Sequence, residues 1–184
     1  MDVSLSKDQV DALVGNRLPV VSLTDDRSIR KLYQAIRRRG DRRFLVHYQT
    51  KHFKGGKQGH WCGLQIRGNE LWFFDSYGEF PDDQLESINW DYRKATGQED
   101  RKLGEFLYKC AKAGYRIRYN EYAYQKKENG INTCGRWVAF WMDSGLSPEK
   151  FHTYVEGLMK RMNRRWGKMS PDQMVVAVTQ NSLI

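Results

Sequence analysis

Apolar residues recur along this chain with two different periods, and the change of period divides it into elements. From Ser6 to Gly15 a short helix is expected: Ser6 and Gln9 form a capping-box pair, and Gly15 supplies a stop. Ile29, Leu32, Tyr33 and Ile36 keep helical spacing inside a second helix, Thr24 to Arg38. Phe44-Leu45-Val46-His47-Tyr48 reads as a buried strand, and residues 51–59, with Gly55-Gly56 and Gly59, as a mobile loop. Trp61 to Ile66 and Leu71 to Phe74 are two strands around Gly68-Asn69, a pair that suits a tight two-residue hairpin turn. Leu103, Phe106, Leu107 and Cys110 share one face of a helix ending at Gly114. Tyr115 to Tyr124 alternates as a strand, and residues 125–133 form a polar loop. Gly135 to Met142 is almost wholly apolar and therefore predicts a short helix buried on most sides. Two helices close the chain, opened by Ser147-Pro148 and Ser170-Pro171, with Pro at the first helical position.

The expected fold class is α+β, one domain over residues 1–184, with a core at about 44–143 between helical segments 1–43 and 144–184. No run of 18 apolar residues occurs, so no membrane span is expected. Three cysteines without CxxC spacing, and an N-terminus lacking a basic start and an apolar stretch, predict free thiols in a reducing compartment. Cys62 and Cys110 sit among apolar or aromatic neighbours and read as small buried hydrophobes.

Charge adds a partner question. There are 31 Lys and Arg against 22 Asp and Glu, a net +9. The excess is clustered at Arg37, Arg38, Arg39, Arg42 and Arg43, and again at Lys160, Arg161, Arg164, Arg165 and Lys168. Such patches suit an anionic partner such as DNA, or are simply solvated faces.

Candidate chemistry concentrates at element ends. His60 begins one strand of the hairpin and Asp75 ends the next, which makes them spatial neighbours. Cys134 stands at the mouth of the apolar helix, where the helix N-terminus and an imidazolium lower a thiol pKa. Asp75 would fix the imidazole tautomer. Gly135 would leave room for substrate backbone, and Gln125 is the best side-chain amide for an oxyanion, ahead of Asn129 and Asn132. Each group alone has a plain structural reading: a buried thiol, a strand-edge histidine, a turn aspartate. His47 reads as core; His52 and His152 have weaker settings. A zinc site from His60, Cys62 and Cys134 lacks any paired CxxC or HxxxH spacing.

The segments Gly59-His60-Trp61, Phe73-Phe74-Asp75-Ser76-Tyr77-Gly78, Gln125 and Thr133-Cys134-Gly135, in that order, resemble the adenain class. These are the maturation proteases of adenoviruses and related enzymes of other large DNA viruses; the SUMO/ubiquitin-like proteases share the arrangement. The resemblance covers about residues 44–143. It implies a papain-like cysteine protease fold in reversed chain order, a central mixed sheet flanked by helices, with the nucleophile at a buried helix N-terminus. It implies Cys134 as nucleophile, His60 as general base, Asp75 as third member and Gln125 as oxyanion donor. Gln125 lies nine residues before Cys134, where these enzymes usually place it six or seven before.

The implied activity is endopeptidase cleavage near small or Gly residues, processing viral structural proteins during virion maturation. No metal or cofactor is implied, with DNA or a peptide as candidate activators. The implied partners are a protein or polyprotein substrate and DNA held by the two basic clusters; the chain is expected to be a monomer in the host cytoplasm, nucleus, virus factory or virion. Two alternatives share the sequence signals: an isopeptidase for ubiquitin-like modifiers, and a non-enzymatic nucleic-acid-binding module built on Tyr115, Tyr119, Tyr122 and Tyr124 with Arg116 and Arg118.

Overall fold

The computed structural model describes residues 4–38, 40–53, 56–128 and 130–180, with backbone only for 51–53 and 56–58. Arg39, Asn129 and Gly55 therefore lie outside the described residues, as does the side chain of His52. The fold is α+β. Its described residues form a five-stranded mixed sheet, seven α-helices and one 3₁₀ turn.

The strands are β1 (Val20–Ser22), β2 (Arg42–Phe53), β3 (Gly56–Arg67), β4 (Glu70–Phe74) and β5 (Arg116–Tyr119), in that spatial order. β2, β3 and β4 form an antiparallel meander, and the two edge strands pair parallel to it. The hairpin turn lies where its residues predict. Arg67 pairs with Glu70, and Gly68 takes φ +58°, a left-handed conformation open to glycine.

The helices are α1 (Lys7–Val14), α2 (Asp26–Ile36), α3 (Trp90–Thr96), α4 (Lys102–Lys112), α5 (Cys134–Ser144), α6 (Pro148–Trp166) and α7 (Pro171–Gln180). The capping boxes form as the sequence predicts. Ser6 Oγ accepts from the Gln9 N–H while Gln9 Oε1 accepts from the Ser6 N–H. Ser170 and Gln173 repeat the pattern before α7.

Alternation along the strands divides the apolar side chains between two cores. Val46, Tyr48, Cys62, Leu64, Leu71 and Phe73 join α2 and α4 on one side. Leu45 and Phe74 join α1, α5, α6 and α7 on the other, where Phe74 stacks on Trp141 at 5.1 Å between ring centres. Residues 44–49 of β2 are buried on both faces, so this stretch needs no two-fold alternation.

Three expectations are corrected. The predicted mobile loop at 51–59 is largely the far end of the β2–β3 ribbon, with Phe53 pairing Gly56. Backbone hydrogen bonds hold it, which Lys- and Gly-rich composition does not announce. Its register shifts between Gln49 and Lys51, and the buried Gln98 fills the break, accepting from the Gln49 N–H and donating to its carbonyl. The strand expected from Tyr115 to Tyr124 stops at Tyr119, because Asn120 takes over with its side chain, as described below. β1, the 3₁₀ turn (Asp83–Ser87) and α3 were not expected at all. Each is too short to carry a period.

Candidate active site

Where β3 begins and β4 ends, the sheet delivers His60 and Asp75 to one place. Gly63 pairs with Phe74, so continuing the register sets Cys62 opposite Asp75 and His60 one diagonal step away. His60 Nε2 lies 2.8 Å from Asp75 Oδ1. Both are buried, at 4% and 1% exposure. Gly59 lets the strand pass here: a Cβ on it would sit 2.1 Å from the Tyr48 carbonyl oxygen and 2.4 Å from His47 Nε2.

Asp75 is held from several directions. Its backbone is clamped by Asn120, whose Oδ1 accepts from the Asp75 N–H at 2.8 Å and whose Nδ2 donates to the Asp75 carbonyl at 2.6 Å. Its Oδ1 also accepts from the Tyr77 N–H. Its Oδ2 faces the Cys62 thiol at 3.5 Å. The Tyr77 ring then stacks on His60, 4.6 Å between centres and 14° from parallel. Lys127 Nζ also lies over the Tyr77 ring, 5.1 Å from its centre, and pairs with Glu79.

The third group arrives on α5. Its first residue is Cys134, 5% exposed, whose thiol lies beside His60. With Nε2 committed to Asp75, Nδ1 is the ring nitrogen left for sulfur. The His60 ring thus neighbours both the Asp75 carboxylate and the Cys134 thiol. The N-cap residue Thr133 does not cap with its side chain. Its Oγ1 donates instead to the buried Asp172, whose other oxygen accepts from the Lys126 N–H. The first N–H groups of α5 and its dipole are therefore left for the thiol or an anion beside it.

Charge follows the same line. Burial opposes a charge on His60, but the Asp75 carboxylate and the neighbouring thiols outweigh it and hold the ring well above its ordinary pKa. Burial likewise pushes Cys134 up, yet the His60 hydrogen bond and charge, with the N–H groups of Trp61 and Gly135, bring its thiol below the usual value. Cys62 moves the opposite way, raised by burial and by the Asp75 charge. The two buried thiols are thus shifted in opposite directions, Cys134 down and Cys62 up.

Two predicted residues have different surroundings from those expected. Gln125 is buried; its amide donates to Tyr77 Oη at 3.2 Å and the Ile131 carbonyl at 3.1 Å, and its Oε1 accepts from Ser76 Oγ at 2.8 Å. It reaches the site through Tyr77. A Cβ on Gly135 would meet Val10 and Leu5 of the N-terminal segment, at 3.1 and 3.2 Å, so this glycine makes room for packing rather than for substrate backbone. Of the other amides, Asn132 is exposed two residues before Cys134.

Sequence reasoning gave Asn120 and Asp172 no part in the site, took Tyr77 only as part of a motif, and considered Cys62 only as a zinc ligand. Cys62 had a usable signal, since a position two after His60 on a strand shares its face. The other three depend on distant pairings.

His47 is buried against Trp61, in the core as read, and His152, on α6, stacks on Tyr122. The tyrosine and arginine set of residues 115–124 is mostly engaged internally. Arg116 and Arg118 pair with Glu70, Arg118 also with Glu149, and Tyr124 is buried.

A cavity of about 680 Å³ opens beside the site, lined by Tyr77, Gln125, Ile131 and Asp172 among others. A second, of about 460 Å³, lies away from it, between α2 and the start of β2. Arg17, Lys31, Arg38, Arg42 and Arg43 line that one, with Asp41 as its acid. Asp41 is already paired with Arg67. The described residues of the Lys160–Lys168 cluster are exposed on α6 and just beyond it. No described helix is long and apolar enough to cross a membrane.

No protein-family model matches the chain. It is similar to an uncharacterized protein, V9, of Sputnik virophage, 36% identical over 123 residues. The match spans 66% of this chain and 66% of the length of the virophage protein.

Proposed function

We infer that this is a viral thiol hydrolase, a cysteine endopeptidase with a papain-like centre in adenain order. The observation that carries the reading is the His60 ring, hydrogen-bonded to the Asp75 carboxylate and beside the Cys134 thiol, with all three residues buried. A buried aspartate would be costly unless its charge were used or compensated. Here it holds one proton on a ring whose other nitrogen faces a sulfur. Similarity to a virophage protein agrees with a viral origin.

In the proposed reaction the Cys134 thiolate attacks the peptide carbonyl carbon, and the carbonyl π electrons move onto oxygen. That oxyanion sits at the start of α5, where the Cys134 N–H and its neighbours are free of a side-chain cap. The imidazolium of His60 gives its proton to the leaving amine as the C–N bond breaks, leaving an acyl-thioester. Water then attacks the thioester carbon with His60 taking its proton, the C–S bond breaks, the carboxylic acid product leaves, and the Cys134–His60 pair is restored. Asp75 keeps the ring in one tautomer throughout. Gln125 supports Tyr77, and Tyr77 packs the ring from the side. The cavity beside Tyr77 and Gln125 offers space for one side of the substrate chain.

The test is a labelled peptide probe with a thiol-reactive terminus after Gly-Gly or Gly-X-Gly. It should modify Cys134 in the folded protein and leave Cys62 and Cys110 untouched. Equal labelling of the three thiols, or turnover that survives Cys134→Ala, would defeat the reading. A probe built on a whole ubiquitin-like modifier, if strongly preferred over the short peptide, would move the activity to isopeptidase.

DNA is the proposed accessory partner. Five cations around the α2–β2 cavity, against one acid that is already paired, favour phosphates. Binding of a short duplex should weaken steeply as salt rises, and a flat salt response would remove DNA from the account.

A further inference from the structure

The geometry points to a soft-metal site inside the same centre: His60, Cys62 and Asp75 together hold a Zn²⁺ ion, which silences the thiol. The donor atoms of these three residues all lie within 4.8 Å of one another, and all three residues are buried. His60 and Cys62 are two apart on β3 and so share one face. Asp75 lies opposite Cys62 by the register of β3 and β4. No sequence spacing of zinc-ligand type is involved, because strand pairing assembles the set.

Size favours a metal. Zinc lies about 2.0–2.1 Å from nitrogen, about 2.0–2.2 Å from carboxylate oxygen and about 2.3 Å from sulfur, so tetrahedral donors stand roughly 3.3–3.7 Å apart. Cys62 Sγ already stands 3.5 Å from one oxygen of the Asp75 carboxylate, Oδ2. His60 Nε2 and Asp75 Oδ1, at 2.8 Å, need to part by only about half an ångström to admit the ion. One carboxylate and one thiolate balance its two positive charges, as a buried site requires. The tetrahedron keeps a fourth position for water or for Cys134.

Binding is a proton-for-metal exchange. The ion replaces the proton between Nε2 and Oδ1 and the proton on Cys62 sulfur, and both leave to solvent. Nε2 then donates its lone pair to the metal. With Nε2 on the metal, Nδ1 keeps its proton as a neutral N–H beside Cys134, a far weaker acid than an imidazolium, so the ring cannot protonate a leaving amine. Loss of turnover rests on the hydrolase reading; binding of the ion does not.

The experiment uses the reduced full-length chain titrated with Co²⁺, whose thiolate charge-transfer absorption reports sulfur ligation directly. One equivalent should produce the band, and Zn²⁺ should displace it. The band should persist in Cys134→Ser and be lost in Cys62→Ser, with affinity at least about 100-fold weaker. Cys62→Ala serves as a second variant, and circular dichroism confirms that each is folded. A band that survives in folded Cys62→Ser or Cys62→Ala, or that disappears in Cys134→Ser, overturns the proposal, as does the absence of any band in the parent chain. Zn²⁺ should also lower peptide turnover more than tenfold, reversibly with chelator. If the band forms as expected in a protein without turnover, the metal site stands and the hydrolase reading falls.

Discussion

Replacing Asp75 by asparagine removes one negative charge and almost no volume, so it probes the electrostatics of the site rather than its packing. Asp75 Oδ1 accepts from both His60 Nε2 and the Tyr77 N–H, at 2.8 Å each. The substituted side chain can keep the second of these bonds. Toward His60 it offers either a carbonyl oxygen without charge or an N–H that forces the ring into the other tautomer. Two unit charges about 4 Å apart interact by about 4 kcal/mol at an effective dielectric near 20. The amide dipole restores part of that, leaving a net loss of about 2–3 kcal/mol in the Cys134–His60 ion pair. At about 1.4 kcal/mol per decade this lowers the thiolate population at neutral pH roughly 30–150-fold. The assay is the second-order rate of iodoacetamide alkylation at Cys134, located by peptide mapping, from pH 5 to 9. Asp75→Asn should shift the titration of that rate alkaline by about two pH units, and peptide turnover should fall by roughly 10²–10⁴. Near-UV circular dichroism should stay unchanged. Parent-like alkylation at pH 6.5 in the folded variant would refute the claim that this carboxylate charges the ring.

In the parent protein, Cys134 alkylation should reach half its maximum below the usual thiol pKa, because His60 lowers that of the sulfur; the imidazolium, raised by Asp75, should persist well above pH 6.5. Turnover should therefore rise through the lowered thiol value and fall only as the raised imidazolium value is passed, and a pH–rate curve with a single limb centred near 8.5 would contradict the ion pair. Gln125→Ala orphans Ser76 Oγ and the Ile131 carbonyl, so it should cost about 1–3 kcal/mol in urea unfolding. Its turnover should change less than about tenfold once folded, whereas a 10²–10³ loss would make it an oxyanion donor after all. Asp172→Ala leaves the Thr133 hydroxyl and the Lys126 N–H without their acceptor and should cost about 2–3 kcal/mol. Hydrogen exchange should then quicken at the described residues of the 126–133 loop; unchanged exchange would show that this aspartate does not fix the helix start.

Local signals in the chain were enough to determine α1, α4, α6, α7 and the β3–β4 hairpin. Caps, Pro at a first turn and a Gly-first hairpin act over only a few residues, so each is legible where it stands. The same locality placed Cys134 at a helix start and put His60 beside Asp75, since one hairpin register fixes both. Only the tertiary structure decided what surrounds them. Asn120 reaches the backbone of Asp75 from 45 residues away, Asp172 reaches Thr133 from 39, and Tyr77 finds Gln125 from 48. No period or spacing encodes such pairings, because they arise when separate elements close on a shared core. Gly135 is the sharpest instance. Its sequence position beside sulfur suggested space for a substrate, but packing assigned that space to Leu5 and Val10. Cys62 is another, a small apolar residue by its neighbours that acquires a carboxylate partner only when β3 and β4 pair.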